Sequence, residues 1–343
     1  MSPQSPGEMR AWFTSGDGID ALRPQTVPIP SPGQTEVLLR ISALSLNFRD
    51  VLVVNGVDTW KPESPVVPIS DAVGTVLRAG DDVRRFRLGD RVLPIFLPKW
   101  RTGALTAENY VLPVGGPVNR GFLAGFVVVD EQEAVRAPHS LPDVEAATFP
   151  IAGVTAWHAV ARTGVGRGDT VLIHGTGGVA LFALQIAHAM GASVIITSSD
   201  DVKLERARAM GACATINYRS EDVAGAVRRV TRGRGVEAVI ETVGGRNLDL
   251  SLEASAVGAR IAFIGMIGGQ AASVDTYRFV QRHVTLNGIE TGSREMLENL
   301  VTFVDKNKIR PVIDRTFPAG DVQTALGHLQ RAGHFGKVVL EAF

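Results

Sequence analysis

Apolar and polar residues follow two different patterns along this chain of 343 residues. From about Gly168 onward, short apolar runs that suit buried strands alternate with runs of helical periodicity. Apolar strands separated by helices predict a parallel sheet with helices on both faces. The predicted strands are DTVLIHG, ASVIITSS, VEAVIETVG and ARIAFIG, and the predicted helices are Val179–Met190, Val202–Met210 and Leu248–Ala256.

The residues before about position 135 have a pattern typical of β structure. Their apolar segments are short and are separated by Pro, Gly and Asp residues that favour turns, which predicts a mostly antiparallel, barrel-like β domain. The end of the chain adds two predicted helices, Arg294–Lys306 and Val322–Gln330, and the strand GKVVLEAF. A chain of this length exceeds the size at which one hydrophobic core stops growing, so we expect two domains.

Composition and charge narrow the classes of function. Hydrophobic residues make up 45% of the chain and charged residues 20%, which is typical of a globular protein and not of a disordered one. Lys plus Arg equals Asp plus Glu, 35 each, so the charge favours neither nucleic acid nor an anionic membrane as a partner. The single cysteine, Cys213, excludes an intrachain disulfide and a cysteine-cluster metal site.

The sequence has no pattern typical of a membrane or targeting segment. Its longest apolar runs, such as FLAGFVVV, suit a buried strand and are too short to cross a bilayer. The first ten residues, MSPQSPGEMR, lack the basic and apolar regions of a signal peptide. We therefore expect a cytoplasmic protein that does not bind membranes, with its Pro- and Ser-containing head as a flexible end.

A glycine-rich turn follows the first strand of the predicted parallel sheet. Gly175, Gly177 and Ala180 form the pattern G-x-G-x-x-A between this strand and a helix. Gly175 permits a tight turn, Gly177 lets a pyrophosphate approach the backbone, and Ala180 permits close packing of helix and strand. We therefore predict a dinucleotide site, the alternative being a tight turn that binds no ligand. The predicted contacts are Gly175, Thr176, Gly177, Gly178 and Val179.

The tip of the second predicted strand indicates which dinucleotide binds. Sites for NAD usually place Asp or Glu at this tip, where the carboxylate accepts from the ribose 2′-OH. Ser198 and Ser199 occupy the tip here, with Lys203 beyond them, and hydroxyl donors with a positive charge suit the 2′-phosphate of NADPH. Asp200 and Asp201 either oppose that phosphate or cap the next helix, whose first turn favours acidic residues. We predict NADPH as the cofactor.

A series of ordered segments resembles a known family. These segments are SLNFRDVLVVNG, GDRV, EAATFPIAGVTAW, HGTGGVALFALQIA, GACATINYR, ETVGG, GSRE and HFGKVVL. With them the chain resembles, over nearly its whole length, the zinc-independent branch of the medium-chain dehydrogenase/reductase superfamily, which contains quinone oxidoreductases and enoyl reductases. The resemblance implies an α/β fold, with a doubly wound parallel Rossmann sheet and a mostly β, GroES-like barrel. We expect the Rossmann domain at residues 136–285 and the catalytic domain at residues 1–135 and 286–343.

The zinc-dependent branch of the superfamily differs from this chain at its metal ligands. Where that branch carries Cys, His and Cys ligands, the matching positions here hold Asn47, Ser70 and Ile151. A catalytic zinc requires ligands of those types, and the seven histidines show neither an HExxH motif nor a clustered pair. We therefore expect no metal site.

The absence of a Lewis acid favours one type of reaction. Reduction of a plain ketone places charge on oxygen, which zinc stabilises. Hydride addition to an alkene conjugated with a carbonyl gives a delocalised enolate that needs only hydrogen-bond donors, followed by a proton from solvent or a positioned acid. We predict an NADPH-dependent oxidoreductase that transfers hydride to the activated C=C of an enone, quinone or enoyl thioester. The alternatives are an NAD(P)-dependent alcohol dehydrogenase or ketone reductase, and an NADPH-binding protein without catalytic activity.

The resemblance also implies roles for residues outside the glycine turn. Asn47 would donate an amide N–H to the cofactor ribose or to a substrate oxygen, and it suits equally well a role as N-cap of the helix that follows. Thr155 would lie beside the nicotinamide carboxamide, or be an ordinary hydroxyl within a helix. Tyr218 would lie at the adenosine end, or be an exposed strand-end residue. The resemblance identifies no proton donor, and it implies a homodimer whose sheets meet through ARIAFIG as the edge strand. It places Val243, Gly265, Met266 and Ile267 along the adenosine and nicotinamide halves of the cofactor.

Overall fold

The computed structural model describes residues 7–341, so residues 1–6 of the head predicted to be flexible lie outside the described residues. None of the helices within residues 7–341 has the length and hydropathy needed to cross a membrane. The strands in chain order are β1 (Glu8–Phe13), β2 (Arg23–Pro28), β3 (Glu36–Leu46), β4 (Asp71–Ala79), β5 (Arg91–Pro94), β6 (Phe126–Asp130), β7 (Ala134–Arg136), β8 (Thr170–His174), β9 (Ser193–Ser198), β10 (Ala214–Asn217), β11 (Val236–Glu241), β12 (Ser255–Phe263), β13 (Thr285–Gly288), β14 (Ile313–Pro318) and β15 (Lys337–Glu341). The helices are α1 (Phe48–Val54), α2 (Asp143–Ala146), α3 (Val154–Thr163), α4 (Gly178–Ala189), α5 (Asp201–Ala209), α6 (Val223–Val230), α7 (Asn247–Ala254), α8 (Thr276–Gln281), α9 (Arg294–Asn307) and α10 (Val322–Gln330).

The chain divides into two units. Unit 1 contains the described residues up to Val154 and from Gly292 onward, and unit 2 contains Thr155–Thr291. Both boundaries lie further along the chain than the sequence pattern predicts. The first boundary moves because α2 packs against β3, β4 and β15 of unit 1. The second moves because β13 joins the sheet of unit 2.

Unit 2 is built on a six-stranded parallel sheet. Its strand order is β10-β9-β8-β11-β12-β13, and each neighbouring pair is parallel. Counted from β8, this is the order 3-2-1-4-5-6 of a doubly wound nucleotide-binding sheet. All five residues of β8 are buried, as expected for a central strand covered on both faces. The predicted Rossmann-type sheet is confirmed.

The strand expected at the edge of this sheet lies inside it. ARIAFIG begins within β12, and β12 pairs with β11 on one side and with β13 on the other. The sequence pattern does not predict β13, because TLNG is short and lacks the apolar run of a buried strand. The edge strand is therefore β13, and the predicted edge position of ARIAFIG is wrong.

Unit 1 is mainly an antiparallel β structure, as predicted. Its seven-stranded sheet has the order β14-β15-β3-β4-β5-β7, with β6 pairing to β3 beside this path. The β14–β15 pair is parallel and the other pairs are antiparallel. The long strand β3 is central to this sheet and most of its side chains are buried. Asn47 connects the end of β3 to the start of α1, and β15 pairs with the last residues of β3.

Candidate functional site

The glycine-rich turn joins β8 to α4 in unit 2. Gly175 has φ +81°, in the left-handed region that favours glycine. Gly177 is the N-cap of α4, and no side chain caps the first turn of this helix. A Cβ atom on Gly177 would meet no atom within 4 Å, so its backbone faces open space. The turn therefore presents uncapped helix N–H groups beside open space, which is the arrangement that binds phosphate.

Two further glycine loops follow β11 and β12. A Cβ on Gly244 would overlap the carbonyl of Gly265, and a Cβ on Gly265 would overlap the backbone of Thr242. The loops are therefore in backbone contact, and the Gly268 N–H donates to the Val243 carbonyl at 2.7 Å. This contact explains the glycines of ETVGG and FIGMIGG. Of the predicted cofactor contacts in these loops, Gly265 is buried, Val243 is half-buried, and Met266 and Ile267 are exposed.

A buried polar network underlies these loops. The Glu241 carboxylate accepts from the N–H groups of Val243 (2.8 Å) and Gly244 (3.0 Å). It also accepts from the Ser251 hydroxyl at 2.5 Å, which in turn lies 3.0 Å from Nε2 of His174. Burial lowers the pKa of His174, so this ring is neutral near pH 7. The network fixes the start of the ETVGG turn, and the sequence gives no signal for it.

The tip of β9 carries the residues predicted to select the cofactor. Ser198 is buried, whereas Ser199 and Lys203 are half-buried. Asp200 caps α5, because its Oδ1 accepts from the N–H groups of Val202 (2.8 Å) and Lys203 (3.1 Å). The neighbouring carboxylate, Asp201, accepts from the side-chain amide of Asn217 at 2.7 Å. Asp200 therefore takes the capping role left open by the sequence, and Asp201 is bound by Asn217 instead of capping the helix.

Two other predicted contacts also lie in unit 2. Tyr218 is 52% exposed, and its N–H donates to the Ser198 carbonyl at 3.1 Å, which puts it beside the tip of β9. Thr155 lies in α3 and is buried, and its Oγ1 has no hydrogen-bond partner within residues 7–341. A buried hydroxyl without a partner is unfavourable unless a ligand or water satisfies it. Together with the open space at Gly177, this hydroxyl fits a bound dinucleotide.

Asn47 begins α1 in unit 1 and lies in a network of charged groups. The Asp50 carboxylate accepts from its backbone N–H at 2.8 Å, as in a capping box. Its side-chain Nδ2 donates to Asp71 at 2.9 Å, and its Oδ1 accepts from Nζ of Lys337 at 2.6 Å. Lys337 also donates to the carbonyl of Leu46 at 2.7 Å. Asn47 is therefore an N-cap whose side chain is bound by a carboxylate and an ammonium group.

A second part of this network surrounds Ser70. The Ser70 hydroxyl donates to the Asp50 carboxylate at 2.7 Å and accepts from the Arg49 guanidinium. Arg49 also donates to the carbonyl of Gly116 at 2.6 Å. A Cβ on Gly115 would overlap the Ser70 hydroxyl, so the loop at these glycines packs directly on the network. The cluster thus contains two cations and two carboxylates, all buried.

Burial controls the protonation of this cluster. It raises the pKa of Asp71 to about 7, although Lys337 and the Asn47 hydrogen bond oppose the rise. Burial likewise raises the pKa of Asp50 and lowers that of Lys337. Oδ1 of Asp71 has no hydrogen-bond partner within the described residues. The sequence does not identify Asp71 or Lys337, because they are far apart in the chain and no motif surrounds Lys337 at the start of β15.

The structure brings together two of the three positions that the sequence resemblance aligns with zinc ligands. Asn47 and Ser70 both belong to the charged cluster, linked through Asp50. Ile151 lies in the π-helical turn before α3 and packs against the buried group Phe96, Leu97 and Trp100. Residues 7–341 contain no group of three or more His, Cys, Asp or Glu side chains arranged to hold a metal ion.

Comparison with protein families gives two matches. The model described as the alcohol dehydrogenase GroES-like domain matches residues 33–139. The model described as zinc-binding dehydrogenase matches residues 178–306. These matches confirm the GroES-like domain expected from the sequence, and they cover parts of both units.

Individual relatives span almost the whole chain. A zinc-type alcohol dehydrogenase-like protein of Schizosaccharomyces pombe is 35% identical over 94% of this chain and 96% of its own length. A 2-methylene-furan-3-one reductase of Solanum lycopersicum is 28% identical over 98% of this chain and 79% of its own. The crystal structure of a candidate alcohol dehydrogenase from Sinorhizobium meliloti has a TM-score of 0.91 and 41% identity, covering 98% of this chain and 100% of that one. The chain therefore belongs to the medium-chain dehydrogenase/reductase superfamily, whose members are oxidoreductases that bind a nicotinamide cofactor.

Proposed function

We propose that this protein is an NADPH-dependent reductase that transfers hydride to a carbon–carbon double bond conjugated with a carbonyl, without a catalytic zinc ion. Its substrates would be enones, quinones or enoyl thioesters. The observation that carries the proposal is the charged cluster at Asn47. There, one lysine and two aspartates contact Asn47, which the sequence resemblance aligns with a zinc ligand.

The side chains around Asn47 do not fit a zinc ion. Zinc in catalytic sites is bound by Cys, His, Asp or Glu side chains, and here the matching positions are an amide, a hydroxyl and an aliphatic side chain. The amide oxygen of Asn47 already accepts from the Lys337 ammonium at 2.6 Å. A divalent cation at this oxygen would be repelled by that ammonium group. Asn47 is therefore better suited to act as a hydrogen-bond donor than as a metal ligand.

Conjugated alkenes suit a site of this kind. A nicotinamide held in unit 2 would supply hydride to the β-carbon. The resulting negative charge would be shared with the carbonyl oxygen as an enolate, and a proton from solvent would complete the reduction. Neutral donors stabilise an enolate oxygen, so a metal ion is not required. The Asn47 amide keeps one Nδ2–H beyond its bond to Asp71, and we assign that N–H to a substrate or ribose oxygen.

Residues of unit 2 would hold the cofactor. The N–H groups of Gly178 and Val179 at the start of α4 would bind the pyrophosphate. The Thr155 hydroxyl, which is buried without a partner, would bind the carboxamide. Ser198, Ser199 and Lys203 would bind the 2′-phosphate. The remaining contacts in this proposal are Gly175, Thr176, Gly177, Tyr218, Val243, Gly265, Met266 and Ile267.

The relatives support different reaction types. The tomato relative is named as a reductase of 2-methylene-furan-3-one, a compound whose methylene group is conjugated with a ketone. The yeast relative is instead named as zinc-type and alcohol dehydrogenase-like. Alcohol oxidation or ketone reduction is therefore the second candidate function. The two candidates differ in the substrate carbon that receives the hydride.

Turnover of matched substrates tests the proposal. Oxidation of NADPH would be followed with enones, quinones, enoyl thioesters and saturated ketones of similar size. We expect higher kcat/KM for the conjugated substrates, and deuterium from labelled NADPH on the β-carbon of the product. Label on a carbinol carbon would instead establish the ketone reductase, and cofactor binding without any turnover would establish a non-catalytic protein.

A matched pair of variants tests the assignment of Thr155. Thr155→Val removes a buried hydroxyl with little change in volume and should raise KM for the cofactor. Thr302→Val changes an exposed threonine of α9 and should leave KM unchanged. Equal KM values for both variants and the wild type would show that the Thr155 hydroxyl does not contact the cofactor.

We also propose that the chain forms a homodimer through β13 and α8. Tyr277 and Val280 of α8 are 74% and 69% exposed, and Leu286 of β13 is 42% exposed. Exposed apolar side chains beside an open strand edge favour pairing with another copy. Val280→Lys should shift the sedimentation coefficient from dimer to monomer, whereas Val202→Lys, at an equally exposed position of α5, should not. A wild-type monomer at all concentrations would refute the dimer.

A further inference from the structure

Unit 2 contains a basic pocket at the amino-terminal ends of its strands, at the opposite end of the sheet from the glycine-rich turn. The pocket has a volume of about 280 Å³, and Gly235 and Ser255 in its wall stand immediately before β11 and at the first residue of β12. Gly175 follows the carboxyl end of β8, which is parallel to β11. The pocket is therefore separated from the glycine turn by the length of the strands. Three of its lining residues are arginines, namely Arg228, Arg234 and Arg282.

The local fold holds these arginines at one place. Arg228 lies in the last turn of α6, and Arg234 lies in the loop that joins α6 to β11. Gly233 and Gly235 flank Arg234 and have φ values of +84° and +83°, so the loop needs glycine on both sides. Arg282 is the C-cap of α8, and it donates to the carbonyls of Glu253 (3.2 Å) and Ser255. Three separate segments thus meet around the pocket.

Most of the N–H donors of Arg228 and Arg234 have no protein partner within the described residues. A guanidinium group has five N–H donors. Within residues 7–341, Arg228 donates to Glu253 at 3.3 Å and Arg234 donates to the Thr231 carbonyl at 3.3 Å. No further hydrogen bond joins either guanidinium to a described residue. A Cβ on Gly233 would meet no atom within 4 Å, so open space lies beside this loop.

The positive charge of the pocket exceeds the negative charge around it. Glu253 is the carboxylate beside Arg228, at 3.3 Å, and Arg278 shares it at 3.9 Å. Asp275, the N-cap of α8, contributes a second carboxylate, which lies 3.8 Å from Arg278 of the same helix. Burial together with the charges of Arg278 and Arg228 lowers the pKa of Arg282. Gathering like charges at one place is unfavourable unless an anion compensates them.

We propose that this pocket binds a phosphate-type oxyanion, either inorganic or carried by a small phosphomonoester. Arg is the side chain best suited to such anions, because its planar fork of N–H groups matches two phosphate oxygens. Arg228 and Arg234 contribute the free donors, and Arg282 contributes charge while it anchors the end of α8. This site is independent of the reductase proposed above, because it lies at the amino-terminal ends of the strands, away from the proposed cofactor contacts.

Calorimetric titration of the full chain tests the site. Inorganic pyrophosphate, inorganic phosphate and phenyl phosphate would be titrated at constant ionic strength, with and without saturating dinucleotide. With saturating dinucleotide we expect one anion to bind at the pocket, since the dinucleotide contacts proposed above all lie away from it. Without dinucleotide, the empty glycine turn can bind a second anion, and the Kd at the pocket should stay the same. A preference for phenyl phosphate would identify a phosphomonoester as the ligand, and a preference for the inorganic ions would identify a free anion.

Three variants assign any binding to the pocket. Arg228→Gln combined with Arg234→Gln should raise the Kd for the anion at least tenfold. Arg206→Gln, which changes an exposed arginine of α5, should leave that Kd unchanged. If the double variant fails to fold, Arg234→Gln alone changes an exposed side chain and should still weaken binding several-fold. The site is refuted if no anion binds, if saturating dinucleotide displaces every bound anion, or if the folded pocket variants bind as tightly as the wild type in the presence of dinucleotide.

Discussion

Replacing Ser198 by aspartate should reverse the cofactor preference of this enzyme. In the wild type, we expect the hydroxyls at the tip of β9 and the Lys203 ammonium to bind the 2′-phosphate of NADPH. The Asp200 carboxylate does not compete for that position, because it accepts from the N–H groups of Val202 and Lys203. A carboxylate at position 198 would repel the phosphate and accept from the free 2′-OH of NADH.

The size of the preference follows from the contacts. A hydrogen bond to a charged group contributes roughly 1.5–3 kcal/mol, so two such bonds contribute about 3–6 kcal/mol before screening. Ser199 and Lys203 are half-buried, and solvent therefore weakens their attraction for the phosphate. A net preference of roughly 1.4–4 kcal/mol remains, which corresponds to about ten- to a thousandfold in kcat/KM.

The assay compares kcat/KM for NADPH and NADH in four proteins. Ser198→Asp should favour NADH, and Lys203→Ala should raise KM for NADPH while leaving that for NADH nearly unchanged. Ser193→Asp places the same charge at the exposed opposite end of β9 and should change neither value. Equal kcat/KM for the two cofactors in the wild type, or a preference for NADH, would show that the serines are only strand-end residues.

Three other properties can be measured directly. Elemental analysis should find no stoichiometric zinc and chelators should leave activity intact, whereas about one zinc per chain, lost together with activity, would overturn the proposed chemistry. Lys337→Met leaves the buried Asp71 carboxylate without its cation and should lower the free energy of unfolding in urea by about 3–5 kcal/mol at pH 8. This loss should shrink as pH falls through the Asp71 pKa of about 7, and a loss independent of pH would contradict the charge argument. Burial tends to raise the pKa of Asp305, but hydrogen bonds from Ser140 and His139 outweigh it and lower that pKa. Asp305→Asn should therefore destabilise the protein at neutral pH and match the wild type below the folded pKa, and equal stability at neutral pH would refute this.

The parallel sheet could be predicted because its strands carry their own signal. The middle residues of β8 and β9 are apolar and buried, and Gly175 marks the turn after β8. The strand β13 carries no such signal, since two of its four residues are polar and one is glycine. Its position is decided by pairing with β12, which is a tertiary contact. Local sequence pattern therefore could not identify the edge strand of the sheet or the strand available for a dimer contact.

The candidate site divides in the same way. Gly175 and Gly177 could be identified because a phosphate-binding turn requires glycine at fixed spacing. Glu241 could not, because a glutamate that ends an apolar strand does not reveal in sequence that it accepts from two N–H groups of the next turn. Asp71 and Lys337 meet only because β4 and β15 both pair with β3. Residues that strand pairing brings together have no fixed spacing in the sequence, so no motif identifies them.

The charged cluster fixes the orientation of the Asn47 side-chain amide, which its role as N-cap alone does not. An amide can bind in two orientations related by a flip, and the orientation decides whether it donates or accepts. The Lys337 ammonium can only donate, so the amide oxygen must face Lys337, and the nitrogen then faces Asp71 and donates to it. The remaining Nδ2–H is then a donor of fixed direction. Such a donor stabilises developing negative charge without reorganising, which is the property that reduction of a conjugated alkene requires in the absence of a metal ion.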